Sequence, residues 1–189
     1  VDDLAPYIER KLFTVNTGHA ATAYFGYVAG ITRISDALAD PGIRTKVERA
    51  LEETSAFLSA AHGLDAGELA TYRATILDRF SNEALPDTVQ RVGRQPLRKL
   101  SRHERFIGPA AAAAERGLPV DGLVAAIAAA LRFEDAADPQ AVELQERIRT
   151  EDAAAFTTSV TGLDAEHPLF ARVHEQVAQR QTELGVYRA

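Results

Sequence analysis

Residues 6–30 read PYIERKLFTVNTGHAATAYFGYVAG, and this stretch decides the fold class. Proline is tolerated in the first turn of a helix, so Pro6 marks a favourable start. Only Gly18 and Gly26 interrupt the helical pattern before the glycine that closes the stretch. We therefore predict a helix from residue 7 to about residue 30.

The rest of the chain repeats helix signals between proline and glycine breaks. These signals predict further helices over residues 43–61, 65–80, 120–131, 141–148, 150–160 and 168–184. Short helices are predicted in the region broken by Pro96, Gly108 and Pro109. No segment alternates apolar and polar residues over strand length while being rich in β-branched residues. The sequence thus predicts an all-α, multi-helical fold in which residues 1–189 form a single substrate-binding and catalytic domain.

Composition excludes several classes of protein. The chain has 189 residues, no cysteine and a formal net charge of −6. Without cysteine there is no disulfide framework, thiolate nucleophile or cysteine-based zinc site. The acidic balance argues against a nucleic-acid partner, and no apolar run reaches the roughly 18 residues that a bilayer span needs. We expect a cytoplasmic protein with no membrane partner, and no bound metal because the histidines are not clustered.

Three polar side chains lie on the first predicted helix: Lys11, Asn16 and His19. On an α-helix Asn16 would lie about 140° from Lys11, and His19 would lie about 80° from Lys11. Alcohol oxidation by hydride transfer needs a base, an oxyanion donor and a group that orients the substrate. A lysine held among apolar residues can act as that base, because burial disfavours its charged form. The alternative is that Lys11 extends to solvent and His19 is an ordinary helix residue.

A basic cluster follows in the second half of the chain. Six of the 21 lysines and arginines lie between residues 91 and 105: Arg91, Arg94, Arg98, Lys99, Arg102 and Arg105. Arginine forks suit phosphate oxygens. If one helix contains Arg94 and Arg98, their spacing of four places both on one face. The candidate phosphate ligands are Arg94 and Arg98, followed by Lys99 and Arg91. The alternative is a solvated basic surface, or arginines paired with the many carboxylates of the chain.

The motif stretch YIERKLFTVNTGHA, residues 7–20, resembles the signature of the polyol-specific long-chain dehydrogenases of the mannitol dehydrogenase family. Their motif is a lysine, four residues, an asparagine, two residues and a histidine, and Lys11, Asn16 and His19 match every spacing. The resemblance continues through residues 79–82 and 92–101 to 162–164, and it is strongest to the branch that acts on mannitol 1-phosphate.

The resemblance implies roles for these residues. Lys11 would be the general base, Asn16 one half of an oxyanion hole, and His19 a ligand of the polyol. It also implies a helical domain like the C-terminal domain of 6-phosphogluconate dehydrogenase-like enzymes, and an NAD-dependent interconversion of D-mannitol 1-phosphate and D-fructose 6-phosphate. Family members often work as monomers, so a monomer is implied here.

The nucleotide-binding part of such an enzyme is missing from the sequence. Gly26, Gly30 and Gly42 do not have the spacing of a dinucleotide fingerprint, and no predicted strand precedes them. The chain also contains no methionine, including at position 1. We therefore expect an N-terminal Rossmann domain outside this chain to bind NAD, and this part alone to be inactive.

Two other hypotheses remain open at this point. An all-α acidic chain with a basic cluster could be a non-catalytic helical module that binds a phosphorylated ligand or partner. Within the enzyme class, the chain could belong to a relative that acts on unphosphorylated mannitol or on hexuronates. The basic cluster argues against that relative, because a free polyol has no phosphate to bind.

Overall fold

The computed structural model describes residues 4–186 and confirms the all-α prediction. The first long helix has three parts: α1 (Ala5–Arg10), a π-helical turn (Lys11–Asn16) and α2 (Thr17–Val28). The remaining helices are α3 (Ile34–Ala39), α4 (Pro41–His62), α5 (Ala66–Phe80), α6 (Val89–Gly93), α7 (Pro96–Lys99), α8 (Ile107–Ala114), α9 (Asp121–Ala130), α10 (Pro139–Thr150), α11 (Ala153–Thr161) and α12 (Phe170–Glu183). In residues 4–186 the β-structure is limited to one isolated antiparallel bridge, between Arg33 and Thr88.

Capping residues explain why several helices begin and end where they do. Asp40 accepts a hydrogen bond from the Ile43 amide at 2.9 Å, directly before the proline that opens α4. Gly63, with φ 66°, ends α4 in the left-handed region that favours glycine. Asp152 accepts from the amides of Ala154 and Ala155 at the start of α11. This cap places residue 150 at the end of α10, whereas the sequence pattern predicted it as the start of the next helix.

The central element is α2, which is buried on all sides from Ala20 to Gly26. It packs against α3, α4, α6 and α9, and these helices surround it with the apolar core. The short helix α3 was not predicted, because its six residues lie between two longer patterns. Since α2 directly continues the motif segment, a buried helix of the core holds the candidate catalytic residues in place.

The crossing of α4 and α9 depends on a glycine and a buried carboxylate. A Cβ on Gly122 would lie 2.7 Å from the Ala50 backbone nitrogen. Glu53, only 6% exposed, accepts hydrogen bonds from the Gly122 and Leu123 amides at 2.7 and 2.8 Å. This carboxylate of α4 therefore satisfies the first amides of α9, which has no side-chain cap of its own. No helix described between residues 4 and 186 is long and apolar enough to cross a membrane.

Candidate active site

The first two residues of the motif begin and end the π-helical turn. Lys11 is the first residue of that turn and Asn16 the last. In a π-helix the backbone hydrogen bond joins residues five apart, so such residues lie about one turn apart. The spacing of Lys11 and Asn16 therefore places both on a similar side of the helix. On an α-helix the two residues would lie about 140° apart. Short π-helical segments inside α-helices are frequent at functional sites.

Lys11 differs in one respect from the sequence-based hypothesis. It is exposed in the described chain rather than enclosed by apolar residues, while Asn16 and His19 are partly buried. Three neighbouring residues at the start of the chain are exposed as well, although they are apolar: Leu4, the N-cap of α1, at 59%, and Tyr7 and Ile8 of α1 at 51% and 63%. Together they form an apolar patch beside Lys11, which we call the α1 patch. The apolar enclosure expected around Lys11 is thus not supplied by residues 4–186 alone.

His19 is held between a ring and a carboxylate. Its imidazole stacks on Phe80, with ring centroids 4.6 Å apart and planes at 17°. Its Nε2 lies 3.1 Å from Oδ2 of Asp87, although the contact is not aligned as a hydrogen bond. Burial first, and then the charges of nearby cations led by Arg91, together lower the pKa of His19 to about 4. The imidazole is therefore neutral near pH 7.

A buried threonine joins the motif helix to the basic cluster. The Thr17 hydroxyl lies 2.6 Å from the Arg105 carbonyl oxygen and 3.2 Å from that of Leu12. Leu12 also accepts the backbone hydrogen bond from the residue 17 amide across the π-helical turn. One side chain thus connects the π-helical turn with the end of the basic cluster.

The arginines of the basic cluster fall into two groups. Three have carboxylate partners: Arg91 pairs with Asp87, Arg102 with Glu115 and Arg105 with Glu104. Arg94 and Arg98 are exposed, and no carboxylate of residues 4–186 lies within ion-pair distance of either. Of the four predicted phosphate ligands, these two are the ones whose guanidinium groups are not neutralised by a carboxylate of the chain.

Arg94 and Arg98 do not lie in one helix, so the condition for placing both on one helical face is not met. The helix α7 begins only at Pro96, and Arg94 lies in the extended connection between α6 and α7. Gln95, with φ 61°, turns the chain between the two arginines. Moreover, the arginines whose charges act on His19 are Arg91, Arg105 and Arg79, not this pair. The structure thus brings Arg91 to the motif, whereas Arg94 lies on the adjoining connection and Arg98 in α7.

Lys99 lies inside the protein, not at the surface expected of a phosphate ligand. It is 5% exposed, and its ammonium group donates to the carbonyl oxygens of Val92, at 2.6 Å, and Arg94. The buried Tyr24 hydroxyl donates to the Gly93 carbonyl at 2.9 Å, and burial holds the pKa of this phenol far above its ordinary value. These donors satisfy three successive carbonyl groups of the connection. Lys99 therefore acts structurally, holding the segment that carries Arg94.

The charge state of Lys99 gives a pH-dependent prediction. Burial, then the charges of Arg105 and Arg98, lower its pKa from 10.5 to about 7. Between those values the unfolded lysine binds more protons than the folded one, so stability is gained as pH rises. We expect the free energy of unfolding to rise by up to about 1.4 kcal/mol per pH unit above pH 7, in denaturant titrations kept below about pH 10, where tyrosines ionise.

Two variants test the assignment of this slope. Lys99→Met removes the titrating group, so its slope should be flatter than that of the wild type. Lys46→Met removes an exposed lysine of α4 and should leave the slope unchanged. Equal slopes in the wild type and in Lys99→Met would contradict the assignment.

Several residues of the site were not predicted from the sequence. Asp87 was assigned only to a loop, yet it contacts both His19 and Arg91. Phe80 stacks on His19, although the two residues are far apart in the chain. The only available signal for both was their position within or beside the stretches that resemble the family. Asn82 has the turn role that its residue type favours, since its side chain accepts from the Ala84 amide at 3.0 Å.

Residues 4–186 contain neither a Rossmann-type dinucleotide motif nor a clustered set of metal ligands. Gly26 lies inside α2, where an added Cβ would be 3.0 Å from Ala37 and from Val89, so this glycine serves helix packing. In residues 4–186 no strand leads into a glycine-rich turn. No group of three or more His, Asp or Glu residues in that range is placed to hold a metal ion.

The helical architecture is shared with a solved structure. Pseudomonas fluorescens mannitol 2-dehydrogenase, in a ternary complex with NAD and D-mannitol, superimposes with a TM-score of 0.74. The alignment covers 98% of this chain and 40% of that one, at 22% sequence identity. At this identity the likeness shows the fold alone, which is that of a domain within a larger dehydrogenase chain.

The family follows from the sequence comparisons. The family model described as the mannitol dehydrogenase C-terminal domain matches residues 3–183. The chain therefore belongs to the mannitol dehydrogenase family and constitutes its C-terminal domain, which confirms the resemblance seen in the motif.

Curated relatives place the chain more narrowly within the family. It is 57% identical to a mannitol-1-phosphate 5-dehydrogenase of Paenarthrobacter aurescens, over 97% of this chain and 48% of the relative. It is 53% identical to a mannitol-1-phosphate 5-dehydrogenase of Ajellomyces capsulatus, over 97% of this chain and 47% of the relative. The chain thus spans about half the length of the curated relatives it matches.

Proposed function

We propose that this chain is the substrate-binding and catalytic half of an NAD-dependent oxidoreductase that interconverts D-mannitol 1-phosphate and D-fructose 6-phosphate. The observation that carries the proposal is the π-helical turn, which begins at Lys11, ends at Asn16 and continues directly into the helix of His19. The relatives named mannitol-1-phosphate 5-dehydrogenase support the choice of substrate.

Each motif residue has one role in the proposed reaction. Lys11 accepts the proton of the C5 hydroxyl group. The Asn16 side-chain amide donates a hydrogen bond to the same oxygen as it becomes a carbonyl. His19, neutral near pH 7, binds a neighbouring hydroxyl and orients the polyol. NAD, bound outside the described residues, would supply the hydride acceptor.

The α1 patch is the proposed contact with the N-terminal, Rossmann-type half of the enzyme. Exposed apolar residues adjoining one another are expected where a further surface covers them. About half the length of each curated relative lies outside the region that matches this chain. Covering the patch would also enclose Lys11. This enclosure would supply the apolar surroundings that a lysine base requires. We propose that one chain containing both halves works as a monomer.

Arg94 and Arg98 are the proposed phosphate ligands. A phosphate dianion needs more than one positive donor when it leaves water, and these arginines have no carboxylate partner among residues 4–186. Arg91 lies nearer the motif, but its guanidinium already pairs with Asp87. Lys99 acts indirectly in this scheme, because its ammonium group holds the carbonyl oxygens of the connection that carries Arg94.

The test compares Arg94→Ala and Arg98→Ala in the full-length enzyme on mannitol 1-phosphate, mannitol and a hexuronate. A charge-assisted bond contributes about 1.5–3 kcal/mol, so each loss should raise the KM for mannitol 1-phosphate roughly ten- to a hundredfold. Residual activity on mannitol should change much less, because mannitol has no phosphate.

Arg44→Ala provides the control, since Arg44 pairs with Glu48 on α4 and should leave every KM unchanged. If both cluster variants lose activity on mannitol and mannitol 1-phosphate equally, the cluster does not bind the phosphate. Turnover of mannitol or a hexuronate in preference to mannitol 1-phosphate would assign another substrate. No turnover of any of the three would contradict the proposed function.

A further inference from the structure

Asp87 lies between the motif helix and the basic cluster. Its Oδ2 is 3.1 Å from His19 Nε2, and its Oδ1 pairs with the Arg91 guanidinium. The carboxylate is 18% exposed, whereas the Arg91 side chain is 63% exposed. Asp87 is thus the inner member of the ion pair and the one that faces the histidine.

The backbone on both sides fixes the position of Asp87. Its carbonyl oxygen accepts from the Ile34 amide at 3.1 Å, and the next residue, Thr88, forms the isolated bridge with Arg33. The Thr88 hydroxyl in turn accepts from the Arg91 amide at 3.1 Å and caps α6. Because α6 starts at this cap, Asp87 and Arg91 stay one helical turn apart and the pair is maintained.

The proton of His19 can occupy either ring nitrogen. A neutral imidazole has one N–H donor and one acceptor nitrogen. If Nε2 were the unprotonated nitrogen, its partial negative charge would lie 3.1 Å from the Asp87 carboxylate oxygen, which is repulsive. If Nε2 carries the proton, the positive N–H group lies beside the negative oxygen, which is favourable although the two atoms are not aligned as a hydrogen bond. Nε2 is also the buried nitrogen, so solvent cannot relieve the unfavourable arrangement.

The surrounding charges keep the ring neutral instead of forming an imidazolium–carboxylate pair. Burial is the largest influence on His19, and the positive groups that act in the same direction come from α5, α6, α7 and the connection before α8: Arg79, Arg91, Lys99 and Arg105. Arg91 occupies the other oxygen of the carboxylate and balances its charge. The tautomer, not the charge, is therefore what Asp87 controls.

We propose that Asp87 is a positioning residue that keeps the proton of His19 on Nε2 and so leaves Nδ1 as a hydrogen-bond acceptor for a hydroxyl group of the polyol. The polyol in this statement rests on the proposed function, whereas the tautomer does not. The hydroxyl that His19 binds then donates its proton to Nδ1 and points its own lone pairs away from the ring. The histidine thereby selects the rotamer of that hydroxyl.

Nitrogen NMR of the full-length enzyme, isotopically labelled at histidine, reads the tautomer directly. A His19→Gln variant assigns the signals. Near neutral pH the wild type should show a protonated Nε2 and an unprotonated Nδ1. In Asp87→Asn the side-chain amide can donate to Nε2, so the proton should move to Nδ1. A wild-type proton on Nδ1, or an unchanged tautomer in Asp87→Asn, would overturn the proposal.

Kinetics with the same variants tests the consequence for substrate. By analogy with carboxylates that orient metal-bound histidines, whose loss costs about 10- to 100-fold, we expect kcat/KM to fall by about that factor in Asp87→Asn. Asp87→Glu keeps the carboxylate and should restore part of this loss together with the wild-type tautomer. Asp78→Asn, an exposed aspartate on α5, is the control and should change neither.

The outcomes separate the two proposals. An inactive wild type with the expected tautomer contradicts the proposed function and leaves the role of Asp87 in place. An active wild type with the same tautomer and kinetics in Asp87→Asn contradicts the inference alone. If Asp87→Asn does not fold, the wild-type spectrum and Asp87→Glu still decide the question.

Discussion

Replacing Lys11 with alanine should lower the turnover of the full-length enzyme by about 10²- to 10⁴-fold, the usual contribution of a general base. Lys11 is exposed at the start of the π-helical turn, so its removal costs the fold little and the loss should appear in kcat rather than in stability. The measurement is oxidation of mannitol 1-phosphate with NAD under saturating conditions, together with a thermal melt.

Lys46→Ala is the matched control for this prediction. Lys46 is also an exposed helical lysine, on α4, and its ammonium lies 5.7 Å from the Phe25 ring centroid. Its replacement should leave turnover close to that of the wild type. Near-normal turnover in Lys11→Ala would remove Lys11 from the mechanism, even if the substrate assignment holds.

Replacing Gly122 with alanine should clearly reduce the stability of the domain, because the added methyl group falls on the backbone of α4. The new Cβ would lie 2.7 Å from the Ala50 nitrogen and 2.9 Å from its Cα, and a backbone cannot move aside as a flexible side chain can. Forcing α4 and α9 apart costs about 1–3 kcal/mol and weakens the bonds from Glu53. Denaturant unfolding should show this loss, with a melting temperature lowered by about 2–4 °C per kcal/mol.

Gly67→Ala is the corresponding control. Gly67 is the second residue of α5, as Gly122 is of α9, but it is exposed, and its nearest neighbour is a side-chain oxygen of Asp65. Alanine is the better helix former, so the unfolding free energy should change by no more than about 1 kcal/mol. Equal losses in both variants would mean that the helix crossing is not the cause.

Helix positions could largely be predicted because their signals are local. Pro41 opens α4, and the left-handed Gly63 closes it close to the predicted boundary. Asp65 caps α5 at the predicted start, with its side chain accepting from the Glu68 amide at 2.8 Å. Each signal acts within one turn of the residue that carries it, and a single sequence displays it in full.

The candidate site could be predicted only as far as its local motif. The spacing of Lys11, Asn16 and His19 is visible in the sequence, but the π-helical turn that rotates Asn16 towards Lys11 is not, because the residues of a π-helical turn have no distinct periodicity of their own. The contact of Asp87 with His19 depends on tertiary packing across 68 positions of the chain. The burial of Lys99 escaped prediction because a charged side chain in a basic run normally remains in water.

The π-helical turn has a second consequence, which concerns the phase of the helix. In an uninterrupted α-helix, residues 7, 11 and 14 would share one side, since they are separated by about two turns. Here Thr14 is fully buried, whereas Tyr7 and Lys11 are exposed. One wider turn thus changes which face of this continuous helix is buried. The later part lies in the interior of the domain, and the earlier part is turned outward. The buried part of the helix can therefore hold the exposed part in a fixed position, although the core does not cover it.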